Sequence, residues 1–347
     1  MAAPGACAGA AMVDDGAVSE PLPTADDAPS SGARADVPAA GVPLVLRGRV
    51  LAPDRGAVMA VVNRTPDSFY AAARAADDDV ALAAVARAVE EGADLVDIGG
   101  VRAGRGPVVT VEEELERVLP LVRLVRGAFP ELPISVDTWR AEVAEVVVDA
   151  GADLINDTWA GHDPRLVEVA ARHGVGIVCS HTGGLPPRTD PWRPRYPMPD
   201  GVRPQHPGAP GADPLDGVLL DVLATLTAAA RRAVEAGVDP RSVLVDPTHD
   251  FGKTTWHSVH LTRRTQRLVE LGHPVLMALS RKDFVGESLD LPVDDRLEGT
   301  LAATVVAAWQ GATVFRAHDV RATRRTLEMV GVLRGDRPPA RATRGLV

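Results

Sequence analysis

The chain has 347 residues, 46% of them hydrophobic and 24% charged, with a mean hydropathy near zero. Such a composition is that of a soluble globular protein with ample core; it excludes collagen-like, coiled-coil and disulfide-framework chains, and no apolar run approaches the ~18 residues of a membrane span. Net charge is −10 without a basic stripe interleaved with aromatics, which argues against nucleic acid, and two cysteines, Cys7 and Cys179, point to a reducing, cytoplasmic setting.

Residues 1–45 are rich in Ala, Gly, Pro, Ser and Asp, and six acids stand there against Arg34 alone. This reads as a disordered acidic tail, too acidic for a signal or transit peptide. From residue 46 to 335 short β-branched runs alternate with longer runs of helical period. Strands are expected at 58–62, 95–98, 134–136, 154–155, 176–178, 243–245, 275–278 and 314–315. Helices are expected at 78–91, 111–127, 139–150, 164–172, 215–236, 255–271, 294–310 and 319–333. Glycines 92, 151, 174, 237 and 311 close helices as left-handed caps shortly before the next strand.

Eight strand–helix units in about 280 residues match a single (β/α)8 TIM barrel of the α/β class. A doubly wound sheet is the alternative, but Val62 is followed by Asn63-Arg64-Thr65-Pro66-Asp67, not by a glycine-rich fingerprint. The long loop 182–214, full of Pro, Arg and Gly, would project over the barrel mouth after the fifth strand. Residues 336–347 read as a flexible C-terminus.

Chemistry in a barrel is built at the C-terminal ends of its strands. Read in order, those positions hold Asn63 and Asp67; Asp97; Asp137 and Thr138; Asn156 and Asp157; Ser180 and His181; Asp246; Ser280, Arg281 and Lys282; Arg316, His318 and Asp319. An Asp or Asn after a strand is often only a helix cap, which is the plain reading of Asp157 and Asp319. The chain has only two lysines and two asparagines, however, and Lys253, Lys282, Asn63 and Asn156 all fall in these loops. If the loops hold roughly a quarter of the chain, coincidence is well under about one in a hundred. The residues there suit a flat heterocycle beside an anion. Carboxylates at Asp137 and Asp246, with the Asn156 amide, would receive paired N–H groups, and Lys282 would donate to the other edge. Arg316 and His318 would form a cationic pair for phosphate, and Asn63 would offer Mg²⁺ a neutral oxygen. No Walker A, His-x₃-His or Gly-x-Ser-x-Gly sequence competes.

At this point the chain resembles the dihydropteroate synthases over about residues 56–333. The stretch Asn63-Arg64-Thr65-Pro66-Asp67-Ser68-Phe69 is similar to that family's Asn-x-Thr-Pro-Asp-Ser-Phe. It is followed in order by Asp97-Ile98-Gly99-Gly100, Ser135-Val136-Asp137-Thr138, Ile155-Asn156-Asp157, Asp246-Pro247 with Phe251-Gly252-Lys253, Ser280-Arg281-Lys282, and Arg316-x-His318-Asp319. The resemblance implies condensation of a hydroxymethyl-dihydropterin diphosphate with 4-aminobenzoate, in a cytoplasmic Mg²⁺-dependent homodimer of folate synthesis. It implies pterin binding by Asp137, Asn156, Asp246 and Lys282. Asn63 with Mg²⁺, Arg316 and His318 would hold the diphosphate, while Phe251, Ser280 and Arg281 would border the aminobenzoate.

Three segments depart from the pattern. After Gly99-Gly100 the family usually reads Glu-Ser-Thr-Arg-Pro-Gly, and this chain has Val101-Arg102-Ala103-Gly104-Arg105-Gly106. The family's Ser-Asp-Gly-Gly after Phe69 becomes Tyr70-Ala71-Ala72-Ala73, and His249-Asp250 replaces a glycine-rich piece before Phe251. Arg102, Arg105 and Lys253 are the candidates for replacement contacts. Two readings stay open: an active synthase, and a pterin-phosphate-binding relative with weak or absent turnover. A methyl-transferring pterin barrel is a distant third, since the first-strand motif fits it poorly.

Overall fold

The computed structural model describes residues 37–63, 71–189, 193–201 and 213–343, with backbone alone for 71–77. Most of the acidic tail, the motif stretch 64–70 and parts of the long loop lie outside these residues. Residues 37–338 form one compact unit, and 339–343 carry no helix or strand.

A small hairpin, β1 (Val45–Leu46) and β2 (Arg49–Val50), precedes the barrel. Arg47 and Gly48 at its tip both have positive φ, 52° and 73°, as a two-residue turn matched to strand twist requires. The tail boundary at 45 is therefore corrected: Leu44, Val45 and Leu46 are all buried. They do so because the barrel floor needs a plug.

The barrel strands are β3 (Ala57–Asn63), β4 (Leu95–Gly99), β5 (Ile134–Asp137), β6 (Leu154–Asn156), β7 (Gly176–Ser180), β8 (Val243–Asp246), β9 (Leu276–Met277) and β10 (Val314–Ala317). All pair in parallel, in the order β8-β7-β6-β5-β4-β3-β10-β9. The ring closes between β8 and β9 through one bridging pair among the described residues, Val245 with Val275, beside a Val245 N–H bond of 2.9 Å to the Pro274 carbonyl. The expected eight-stranded barrel is what the chain forms.

Helices α1 (Ala71–Glu90), α2 (Val111–Ala128), α3 (Ala141–Asp149), α4 (Arg165–His173), α5 (Asp216–Glu235), α6 (Thr255–Arg263), α7 (Thr265–Val269), α8 (Asp283–Leu289), α9 (Leu297–Trp309) and α10 (Val320–Arg334) surround it. Three differ from expectation. α1 starts seven residues before 78, because Ala71–Ala73 favour helix where glycines would not. The helix expected at 255–271 breaks at Arg264, where the Thr265 hydroxyl bonds back to the Thr262 carbonyl at 2.9 Å. The unexpected α8 follows Lys282 directly, its first amides held by the Asp250 carboxylate at 2.6 and 3.3 Å. None of the described helices is long and apolar enough to cross a membrane.

Strand period decides what faces the interior. Met59, Leu95, Leu154, Val178, Leu244, Leu276 and Val314 pack inside the barrel with Leu44, Leu46 and Leu51 from the hairpin region. Alternate residues such as Val58, Val96, Ile155, Ile177, Val245 and Phe315 pack outward against the helices. Two residues beyond the inner apolar layer, the same inward parity carries Asp97, Asn156, Ser180, Asp246 and Arg316. Polar groups thus reach the barrel mouth by register alone.

Candidate functional site

The mouth opens into a cavity of about 790 Å³. Among the sequence candidates, Asn63, Arg102, Arg105, Asp137, Asn156, Asp246, Phe251, Ser280, Arg281, Lys282, Arg316 and His318 line it; Lys253 does not. Residues not singled out beforehand also line it, including Thr158, Trp159, Arg188 and Thr248, as does Asp250 from the altered segment before Phe251.

Its floor is organised by Asp97, which is fully buried. The carboxylate accepts from Ser135 Oγ at 2.6 Å, Asn156 Nδ2 at 3.1 Å and Arg316 Nε at 2.6 Å. A buried charge survives only when so partnered. With its Nδ2 committed to Asp97, Asn156 turns its amide oxygen to other donors. Asp137 accepts from Thr158 Oγ1 at 2.8 Å and lies 3.6 Å from Arg316 Nη2. Burial and the Asp97 charge push the Asp137 carboxyl up to about 7, against the pull of Arg316. Burial opposes the Arg316 charge, but Asp97 and Asp137 outweigh it and raise its pKa further.

Across the mouth, Asp246 takes the Thr248 amide at 2.7 Å. Burial raises its pKa, while that amide and the charges of Lys282 and Lys253 oppose the rise. Lys282 Nζ sits over the Phe251 ring at 4.3 Å, and Phe251 meets Trp159 edge-on at 5.4 Å. Burial lowers the Lys282 pKa, and Asp250 and Asp246 resist. An aromatic wall, a cation and carboxylates on the facing side form a slot suited to a flat polar ring.

Two expectations change. Arg281 aims at Asp319, with Nε and Nη2 each 2.9 Å from a carboxylate oxygen, so its guanidinium serves a fork-to-fork ion pair. Arg281 also holds a left-handed backbone, φ 56°. His318 stacks its Nδ1 at 3.0 Å from Ser280 Oγ, and burial with the Arg316 charge pulls it down to about 4. The expected cationic pair is therefore one cation and one neutral imidazole at neutral pH.

The loop after β4 is held from across the mouth. Arg188, from the loop after β7, donates to the Gly104 carbonyl at 3.1 Å and to the Pro107 carbonyl at 2.5 Å. Ala103 and Gly104 offer the cavity no side-chain donor.

The pterin-binding enzyme family matches residues 59–318. The chain belongs to the dihydropteroate synthase family. It is 54% identical over 302 residues to the inactive dihydropteroate synthase 2 of Mycobacterium leprae (strain TN), spanning 87% of this chain and 99% of that one. It is 35% identical over 278 residues to the dihydropteroate synthase of Bacillus subtilis (strain 168), 80% of this chain and 88% of that one. Among solved structures, Xanthomonas albilineans dihydropteroate synthase with 4-aminobenzoic acid aligns at a TM-score of 0.70 with 37% identity, over 84% of this chain and 98% of that one. The family relation gives the slot a meaning that geometry alone leaves broad.

Proposed function

We propose that this protein binds a pterin diphosphate in the synthase manner and turns it over to dihydropteroate weakly or not at all. The observation that carries the reading is the contrast between the two sides of one cavity. The floor set is complete: Asp137, Asn156 and Asp246 offer acceptors for the pterin N–H groups, and Lys282 offers a donor over Phe251. The loop after β4 has Ala103 and Gly104 where the family pattern has a hydroxyl and a guanidinium, and its backbone is tied down by Arg188. Similarity to a relative named inactive agrees with this.

Synthase turnover forms a bond from the aniline nitrogen to the pterin methylene carbon. It breaks the carbon–oxygen bond to diphosphate, and the nitrogen loses a proton. No protein nucleophile is required. What the chain must supply is placement of the amine, exclusion of water and charge for the departing diphosphate. Arg316 would supply that charge through the face of its guanidinium not used by Asp97. Mg²⁺ fits as a companion of the diphosphate: Asn63 Oδ1 and Asp137 Oδ2 converge over Gly99, where an added Cβ would lie 3.7 and 3.9 Å from them. Asn63 would hold the ion, which would neutralise leaving charge, with ligand oxygens and water completing its shell.

The second reading, a working synthase in a homodimer, is favoured by Phe251 and Ser280 lining the same cavity, with Arg102 and Arg105 on the altered loop. Calorimetric titration with hydroxymethyl-dihydropterin diphosphate, beside a steady-state synthase assay with 4-aminobenzoate, tests the choice. Tight binding with turnover at least tenfold below an ordinary synthase is expected. Full turnover refutes the proposal in favour of the second reading, and absent binding refutes both.

A further inference from the structure

Behind the cavity wall lies a buried chain of titratable groups that does not line the cavity. Lys253 Nζ is within 2.8 Å of the His181 carbonyl, 3.0 Å of the Phe251 carbonyl, 3.1 Å of the Thr248 carbonyl and 3.0 Å of His181 Nδ1. Three carbonyls match the three N–H donors of an ammonium, one of which His181 Nδ1 shares. His181 Nδ1 then accepts, so the proton of this imidazole sits on Nε2, which donates to Asp221 Oδ2 at 2.7 Å. His181 is fully buried, whereas the Asp221 side chain on α5 is half exposed.

What the ammonium grips is a strained turn. Thr248 and Asp250 have φ of 54° and 71°, conformations that side chains other than glycine adopt at a cost, and Gly252 follows at 61°. This turn carries the ligand-binding geometry on its outer side. The Thr248 amide fixes the Asp246 carboxylate, its hydroxyl bonds the Asp246 carbonyl at 3.0 Å, and Phe251 supplies the ring under Lys282. The His181 amide donates to Thr248 Oγ1 at 3.1 Å, joining the β7 and β8 loops a second time.

We infer that Lys253, His181 and Asp221 are positioning residues: they hold the 248–252 turn, and through it Asp246 and Phe251, in the arrangement that receives the pterin. The inference rests on the pterin reading of Asp246. It extends the binding site to α5, whose outer surface then influences a ligand it never touches. The groups that bear on the Lys253 charge are Asp246, Asp250 and Asp221, which favour it, and Lys282, which opposes it. His181, His249 and His257 also face it, and burial holds all three below the ordinary imidazole range. Burial itself brings Lys253 down to about 7. A neutral amine keeps two N–H donors but loses the charge, so the clamp is strongest below that pH and weakens above it.

The test is calorimetric binding of 6-hydroxymethylpterin to the full chain and to Lys253→Met, Asp221→Ala and Asp246→Ala, from pH 6 to 8.5, with melting temperatures alongside. Both network variants should bind about three- to thirtyfold more weakly at pH 6, the range for residues acting through neighbours. Asp221→Ala, at a half-exposed site, should melt close to the parent. With rising pH the parent should converge on Lys253→Met, and in Asp221→Ala this convergence should occur at lower pH. Asp137 titrates near 7 in every variant, so the differences between profiles isolate Lys253. Unchanged affinity in Lys253→Met and Asp221→Ala beside a crippled Asp246→Ala overturns the inference alone. Parallel pH profiles overturn it too, since a merely structural lysine would give them. Unchanged affinity in Asp246→Ala overturns the pterin reading together with the inference.

Discussion

Asp97→Asn keeps the shape of the floor and removes its charge. The amide oxygen can still accept from Asn156 and Arg316 while the amide nitrogen donates to the Ser135 hydroxyl, so the hydrogen-bond pattern of Asp97 survives in outline. Arg316 is left with Asp137 as its facing carboxylate, 3.6 Å away. Stripping one partner from a buried ion pair typically costs ~3–5 kcal/mol. With roughly 2–4 °C of melting temperature per kcal/mol in domains of this order of size, a drop of about 6–20 °C is expected. A second consequence separates charge from packing. The Asp97 carboxylate helps hold Asp137 up near 7, and its removal should lower the Asp137 pKa, which carbon-detected NMR of the labelled carboxyl can follow. A melting temperature within about 2 °C of the parent, with an unmoved Asp137 titration, would show that Asp97 does not organise this floor.

Ala103→Thr with Gly104→Arg should raise synthase turnover by about tenfold or more and leave pterin affinity unchanged, because the pair lines the cavity from the loop after β4 and not from the floor. No gain in the steady-state assay would locate the deficit elsewhere. A chain beginning at residue 47 should melt well below one beginning at residue 37, since it loses Leu44, Val45 and Leu46, each worth roughly 1.5–3 kcal/mol when buried; equal thermal scans would contradict the plug. His318, at about 4 in the folded chain, takes up its proton more readily when unfolded, so its share of stability is complete above the ordinary imidazole range and is lost as pH falls. Urea titrations should show stability falling between pH 7 and 5 more steeply in the parent than in His318→Asn, by an amount that solvent at this exposed ring reduces.

Much of this arrangement is legible along the chain because strands enforce parity. Leu95 inside the barrel obliges Asp97 to point inward, and Leu154, Leu244 and Val314 do the same for Asn156, Asp246 and Arg316. Asp97 was visible by that rule, yet its role as the hub depends on Ser135, Asn156 and Arg316 meeting it from three other strands. Arg281 illustrates the limit: it lines the cavity as its position suggests, but Asp319, 38 residues away, takes its guanidinium. Lys253 stood out by rarity alone, and only packing reveals that it faces three carbonyls behind the wall. Thr158, Thr248 and Asp250 carry no compositional signal, since their types are common and their partners distant. The hairpin was hidden by its own brevity, two residues a side, at the border of the tail-like stretch.

The narrow closure of the barrel has a further meaning. Asp246 stands at the end of β8 and Ser280 to Lys282 follow β9, so the proposed ligand-binding set straddles the one place where the sheet is joined by a single bridging pair among the described residues. A ring gripped from both edges is a stitch across a seam. Free energy from the ligand then adds to the sheet where it has least of its own, and opening of the seam becomes the local fluctuation that binding suppresses. The Val245 amide, donated across the seam to Pro274, is where this tightening would be felt first as slowed exchange with solvent.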